Sequence, residues 1–272
     1  MTTPTPVFSV LVTTHLRAAL LERALQSLRA QSFQGFEIVV VADALDADTA
    51  AVCARLLRPA DVFVKRNGAP GPALSRNLAM QLARGEWVCF LDDDDTYGPG
   101  HLQAAHACIT QPATEAQRQA RVLFSDFDVQ TEDRAQQPIA VHDRKRVPIG
   151  TLPVESVYVK NFIPNNALFF HRLALEGCEV DAHLKSQEDW DFILGVCARH
   201  LPVHYEGGQA IVHKDYVNAG ARRGQSQAAN DSTVVLDFLH VYRRWPAPRP
   251  ELQAQRKALL KSTGLDFPVE WF

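Results

Sequence analysis

The apolar positions of this chain fall into short continuous runs, separated by stretches of helical period. Residues 7–13 (VFSVLVT) and 36–41 (FEIVVV) are apolar and rich in β-branched side chains, the pattern of strands buried on both faces. Residues 62–65 and 86–91 (EWVCFL) predict two further strands. Between them, residues 20–31 place Leu21, Leu25 and Leu28 on one helical face. Residues 49–57 and 74–84 also read as helices, the second stopped by Gly85, and residues 68–72 form a glycine and proline turn. Strand and helix alternate in this way as far as the acidic run that begins at Asp92. That predicts βαβ units, an α/β class and a mainly parallel sheet.

The second half is less regular. Residues 121–129 (RVLFSDFDV) predict a strand, 130–148 a polar loop or hairpin, and 163–171 a turn leading into a strand. Residues 185–199 begin as a polar loop and become a helix carrying Trp190, Phe192, Ile193 and Val196, and 210–212 predict a short strand. Residues 219–232 are poor in hydrophobics and rich in Arg, Gly, Gln, Ser and Asn, which predicts mobility. Residues 234–260 are helical segments broken by Pro246, Pro248 and Pro250. No internal repeat is visible. Three parts are expected: 1–110, 111–235 sharing one sheet with the first, and a helical tail at 236–272 that packs on the body or mediates homo-oligomerisation.

In open parallel sheets, ligands bind beyond the carboxyl ends of the strands. Three of those ends are polar here: Thr13-Thr14, Asp43, and the run Asp92-Asp93-Asp94-Asp95. Four adjacent carboxylates repel one another, and a divalent cation among them lowers that cost. Hard oxygen ligands suit Mg²⁺ or Mn²⁺ together with substrate phosphates. On extended backbone, Asp92 and Asp94 share one side while Asp93 turns away. The competing interpretation is a solvated acidic loop whose Asp95 or Thr96 caps the next helix. The position at the end of a buried strand favours a site.

Composition narrows the class. The 272 residues are 46% hydrophobic and 22% charged, as in a soluble globular protein, with a net charge of −3. That balance gives no support to non-specific nucleic-acid binding. Cys53, Cys89, Cys108, Cys178 and Cys197 are scattered and odd in number, which predicts reduced core thiols rather than disulfides or a zinc site. The N-terminus has no basic region or cleavage site, and no apolar run approaches the roughly 20 residues that span a bilayer. The expectation is a cytoplasmic protein, compatible with peripheral work at the inner face of a membrane.

Several segments, in order, resemble glycosyltransferase family 2. They are Phe8-Ser-Val-Leu-Val-Thr-Thr, Phe36-Glu-Ile-Val-Val-Val-Ala-Asp, Gly71-Pro-Ala-Leu-Ser-Arg-Asn and Ala83-Arg-Gly-Glu-Trp-Val-Cys-Phe-Leu-Asp-Asp-Asp-Asp. Further on come Ile163-Pro-Asn-Asn-Ala-Leu-Phe-Phe-His-Arg and Ser186-Gln-Glu-Asp-Trp-Asp-Phe. The likeness covers roughly residues 7–200, and it is the ordered set that is specific, since a lone D-x-D is common. It implies a GT-A fold, a Rossmann-like mixed sheet flanked by helices. Residues 1–110 would then be the nucleotide-sugar-binding half and 111–235 the acceptor-binding half. It implies an inverting, metal-dependent glycosyltransferase. The expected donor is a nucleotide diphosphate sugar, with UDP the default, and the expected acceptor a cell-surface glycan or lipid-linked oligosaccharide.

The resemblance also implies roles. Thr13, Asp43, Arg76, Asp92 and Asp93 belong to the donor site, with Asp43 near the base and Asp92 on the ribose side. Asp94 ligates Mn²⁺ or Mg²⁺ at the diphosphate, and His213 is a second candidate metal ligand. Asp189 matches the general base, and Glu188 tunes it or binds the acceptor. Asn165 and Asn166 are candidates for the acceptor site. Arg222, with Arg223, is a candidate for closing over the diphosphate, arginine being suited to phosphate by its fork. The sequence departs from the family pattern at Thr13-Thr14-His15-Leu16 and Ala42-Asp43-Ala44-Leu45, which concerns the identity of the base. Trp87 and Cys89 read as core, and His101 and His106 as surface or core-edge residues. Two other classes remain open. A nucleotidyltransferase would also use metal and carboxylates, but residues 13–20 lack the glycine-rich phosphate loop. A non-catalytic nucleotide-binding paralogue is disfavoured by the presence of both acidic motifs.

Overall fold

The computed structural model describes residues 5–44, 46–216 and 232–268. The first half runs β1 (Phe8–His15), α1 (Ala18–Arg29), β2 (Phe36–Ala44), α2 (Ala47–Leu56), β3 (Val62–Lys65), α3 (Pro72–Leu82), β4 (Trp87–Asp92), β5 (Thr96–Tyr97) and α4 (His101–Thr110). There follow α5 (Glu115–Gln119), β6 (Val122–Phe124), β7 (Phe127–Asp133), β8 (Ala140–Val147), β9 (Leu168–His171), α6 (Glu188–Cys197), β10 (Val203–His204) and β11 (Ala210–Asp215). The described chain ends with α7 (Ser232–Arg244) and α8 (Pro250–Ser262).

A seven-stranded sheet has the order β10-β6-β9-β4-β1-β2-β3. Its β4-β1-β2-β3 part is parallel, and β9 inserts antiparallel between β4 and β6. Both sequence halves therefore contribute to one sheet, as expected. A second, four-stranded sheet in the order β5-β11-β7-β8 was not foreseen. It arises because the strand expected at 121–129 is two strands. Asp126 breaks it by accepting the N–H groups of Ile149 and Gly150, each at 2.9 Å, so the chain leaves the large sheet after Phe124. The polar stretch that follows is the β7–β8 hairpin.

β1 and β2 are buried almost throughout because their apolar runs are covered by helices on both faces. The polar exceptions pair with each other. Ser9 Oγ donates to Glu37 at 2.6 Å, and the Arg84 backbone N–H and guanidinium complete the Glu37 shell. Next to them sits Gly85, which is not the helix stop expected of it. α3 ends at Leu82, and Ala83 closes it. Gly85 lies instead against β1, where a Cβ would stand 2.5 Å from Ser9 N and 2.6 Å from Phe8 C. His101 also differs from expectation. It is fully buried, accepts the Gln209 N–H at Nδ1, and lies 4.1 Å from the Tyr97 ring. His106 packs on Phe33 at 4.3 Å.

The tail packs on the body. Buried Arg256 donates to the carbonyls of Tyr158, Tyr242 and Trp245, and Trp190 of α6 meets Phe238 and Tyr242 of α7. All five cysteines are free. Among the described residues, no helix is long and apolar enough to cross a membrane.

Gly85→Ala is expected to cost about 2 kcal/mol, because the new methyl meets backbone that has no room to give. The urea midpoint measures it. An unchanged midpoint would show that β1 and the 83–86 turn can separate freely.

Candidate active site

The carboxyl ends of β1, β2 and β4 meet α3, α6 and the turn after β7. Thr13 and Asp92 are register partners across β1 and β4. The acidic run leaves the strand at Asp92 and turns, the Asp95 N–H donating to the Asp92 carbonyl at 3.0 Å, and the turn sends its side chains to alternate sides. Asp92 and Asp94 keep 39% and 26% of their side chains exposed, whereas Asp93 is buried at 0%. Asp93 takes a salt bridge from Arg17 and a 2.7 Å hydrogen bond from Thr14 Oγ1. Asp95 is also buried and accepts from the His213 N–H at 2.8 Å and Asn166 Nδ2 at 3.0 Å. Burial pushes Asp93 up to about 7 and drives Asp95 well above the usual carboxylate range. The run thus carries less charge than four ionised aspartates, and surrounding arginines offset much of the rest. A cation is not its only relief.

Arg76 is the link across the site. Only 8% of its side chain is exposed. Nη2 donates to Asp92 Oδ1 at 3.0 Å and Nη1 to Glu188 Oε1 at 2.9 Å. Burial alone would weaken its charge, but Asp92 and Glu188 outweigh that and raise its pKa further. One guanidinium from α3 therefore joins the end of β4 to the start of α6.

Asp189 stands next to Glu188 on the first turn of α6. Its Oδ1 accepts the Trp190 N–H at 2.7 Å, and Asn161 Nδ2 lies 3.5 Å from Oδ2. Burial and the Glu188 charge push its carboxyl up to about 6, against the pull of Arg76. Gln187, just before, has φ 61°, and Leu16 at the end of β1 has φ 52°. Left-handed backbone costs an L-residue about 1–2 kcal/mol, and both strained residues flank this crevice.

Asp43 turns its carboxylate into the protein. Its side chain is 1% exposed, with Oδ1 2.6 Å from His15 Nδ1 and Oδ2 accepting the Gly71 N–H at 2.7 Å. His15 occupies the exposed side of that pair, and the Thr-Thr-His departure from the family pattern was its only signal. Buried Arg66 shapes the adjoining turn by donating to the carbonyls of Asn67 and Ala69.

Asn165 and Asn166 are both buried behind the acidic run. Among the described residues their Oδ1 atoms have no hydrogen-bond partner, an arrangement that costs about 1–3 kcal/mol for each group unless a ligand or water supplies a donor. His213 is buried with both ring nitrogens committed, Nδ1 to Glu132 at 2.7 Å and Nε2 to Thr96 Oγ1 at 2.7 Å. A carboxylate only accepts, so Nδ1 carries the proton and Nε2 accepts from Thr96. Ligating a metal would break one of these bonds. Glu132, which the sequence did not flag, is fully buried and also binds Arg23 and Arg134. Arg222 and Arg223 lie outside the described residues, as does nearly all of the segment 219–232.

Among the described residues, no three His, Cys, Asp or Glu side chains converge on a common point. Asp92 and Asp94 nevertheless offer hard oxygens at the mouth of the crevice. That fits an Mg²⁺ or Mn²⁺ ion that completes its shell with substrate phosphate and water, rather than a caged resident ion.

The glycosyl transferase family 2 model matches residues 9–146, just over half of the 272-residue chain. A putative colanic acid biosynthesis glycosyl transferase, WcaA of Escherichia coli, is 24% identical over 88% of this chain and 81% of that protein. A Campylobacter jejuni GalNAc(5)-diNAcBac-PP-undecaprenol β-1,3-glucosyltransferase is 37% identical over 40% of this chain, a match spanning 35% of that longer protein. Among solved structures, residues 1–349 of Staphylococcus aureus TarS in complex with UDP-GlcNAc superpose with TM-score 0.68 and 20% identity, covering 95% of this chain and 73% of that fragment. A Pyrobaculum calidifontis mannosyltransferase with GDP-Man and Mn²⁺ superposes with TM-score 0.54 and 16% identity, over 98% and 78% of the two chains.

In Arg76→Gln, the Asp189 carboxyl is expected to titrate above about 6, because the cation that now pulls it down is gone. Carboxyl ¹³C chemical shifts against pH report this. A titration that stays in place or moves down would show that Arg76 does not act on Asp189.

Proposed function

The chain belongs to glycosyl transferase family 2 and has the GT-A fold, and we propose that it transfers a glycosyl group from a nucleotide diphosphate sugar to an acceptor hydroxyl with inversion. The observation that carries this is the Arg76 bridge. It sets Asp92, at a strand end where nucleotides bind such sheets, one guanidinium away from the Glu188-Asp189 pair. Donor and acceptor chemistry thereby share one crevice.

In this proposal Asp189 is the general base. With its carboxyl near about 6, it is largely ionised at neutral pH, yet basic enough to take a proton. The acceptor oxygen bonds to the anomeric carbon as the bond from that carbon to the diphosphate oxygen breaks, and the hydroxyl proton passes to Asp189. Glu188, paired with Arg76, receives acceptor hydroxyls. Asn165 and Asn166 support the site from behind the acidic run, where Asn166 holds Asp95. Thr13, His15 and the Asp43 pair border the base and ribose. Asp94, with Asp92 beside it, would hold Mn²⁺ or Mg²⁺, which when bound stabilises the departing diphosphate as a Lewis acid.

UDP is the proposed donor nucleotide, supported by the UDP-GlcNAc complex of TarS; the GDP-Man complex shows the fold admits others. A polysaccharide or lipid-linked glycan acceptor is proposed from the names of the bacterial relatives. A lipid-linked acceptor would be met from the aqueous side, at the inner face of the membrane.

Asp189→Asn is expected to keep donor binding within about twofold and to lose transfer by about 10³-fold or more, the scale of a lost general base. Wild-type kcat/KM should fall as pH drops through about 6, since the active form is the deprotonated one. Full turnover by Asp189→Asn, or a flat profile between pH 5 and 8, would remove Asp189 from this role. Asp94→Ala should abolish the part of nucleotide binding that Mn²⁺ adds, read by calorimetry with and without chelator. If Mn²⁺ strengthens binding by the same factor in Asp94→Ala, the metal sits elsewhere.

A further inference from the structure

Arg134 lies just past the end of β7, in the turn of the β7–β8 hairpin, and folds back toward the acidic run. Its Nε donates to Glu132 Oε1 at 2.9 Å, and its Nη2 to the His213 carbonyl at 3.1 Å. Glu132 is fixed in turn by two hydrogen bonds from Arg23, at 2.8 and 2.9 Å, and one with His213. Two sides of the Arg134 guanidinium are therefore held by a buried scaffold. The third side, Nη1, reaches Asp94 Oδ2 at 3.2 Å.

That last contact is poorly made. Arg17 Nη1 reaches the same oxygen at 3.3 Å. Charge-assisted N–H···O bonds settle near about 2.7–2.9 Å, so neither contact to Asp94 is a close one. Two like charges converge on one oxygen of one carboxylate that is itself partly exposed to the crevice. Each arginine keeps its own buried carboxylate, Asp93 for Arg17 and Glu132 for Arg134, but both turn one terminal nitrogen to this single oxygen at the crevice. A ligand carrying several anionic oxygens in a row would give each of these two nitrogens its own partner.

We propose that Arg134 is a ligand of the donor diphosphate, held ready by Glu132 and the His213 backbone, with Arg17 facing it across the same group. This rests on the nucleotide-sugar assignment above. It gives the small second sheet a part in donor recognition. It also gives the buried Glu132–His213–Thr96 chain a task, which is to set the position of one guanidinium.

The test is calorimetry in chelator, which removes any contribution from divalent metal. The probes are UDP, GDP, CDP and dTDP, followed by the monophosphate of whichever diphosphate binds the wild type best. Arg134→Gln is expected to weaken the diphosphate at least about tenfold while leaving the monophosphate within about twofold, the size of one charge-assisted contact. Arg134→Lys should recover part of the loss, because it keeps the charge without the fork. Preserved monophosphate binding also shows that the variant is folded. Equal weakening of both ligands would mean that Arg134 only supports the scaffold, and unchanged diphosphate binding would mean that it does not reach the phosphates; either overturns the proposal while the donor assignment stands. If the wild type binds none of the four diphosphates, with or without Mn²⁺, the donor assignment falls and this proposal with it.

Discussion

Arg76 holds the active crevice together. It is almost wholly buried, it comes from a helix of the parallel half, and it spends its two terminal nitrogens on carboxylates 96 residues apart, Asp92 and Glu188. Breaking a buried pair by removing one partner typically costs about 3–5 kcal/mol, because the other charge is left stranded. Here Glu188 and Asp189 would lose their shared cation, while Asp92, open to the crevice, would keep water. The distance between the strand end and the start of α6 is therefore set by one side chain, and the partly raised carboxyl of Asp189 depends on the same charge.

Around that link the protein solves a problem posed by its own sequence. Four consecutive aspartates are tolerable because the tight turn at residues 92–95 sends two outward and two inward. The inward pair is neutralised by Arg17, by hydrogen bonds and by burial itself. The outward pair is left at the mouth of the crevice, each member in contact with arginine. The small sheet extends this arrangement from the other side. Glu132 gathers Arg23, Arg134 and His213 beneath Asp94, so a stretch that reads as a polar hairpin supports the site from below.

The parallel half was legible because its signals are local. Continuous apolar runs mark β1, β2 and β4, and the acidic run follows β4 immediately, so strand and candidate site announce themselves together. The Asp92/Asp94 alternation was expected from the period of extended backbone, but a turn at residues 92–95 produces it instead. What the sequence concealed depends on contacts between distant residues. Gly85 looks like a helix stop, yet its lack of a Cβ serves the approach of β1. Asp126 looks like an ordinary strand residue, yet its bonds to Ile149 and Gly150 divert the chain into a second sheet. Glu132 carries no motif at all, and its importance comes from Arg23 and His213 in two distant segments together with Arg134 two residues on. His213 was singled out for metal, while the fold gives both its ring nitrogens to protein partners.

The most direct test of a single glycosyl-transfer centre built on Arg76 is release of nucleotide diphosphate from UDP-, GDP- and dTDP-sugars in Mn²⁺, with water as the only acceptor. Slow release from one nucleotide class by the wild-type protein, lost in Arg76→Gln while the variant remains folded, is the expected result. Release that is undiminished in Arg76→Gln, or no release from any donor together with no nucleotide binding, would contradict it.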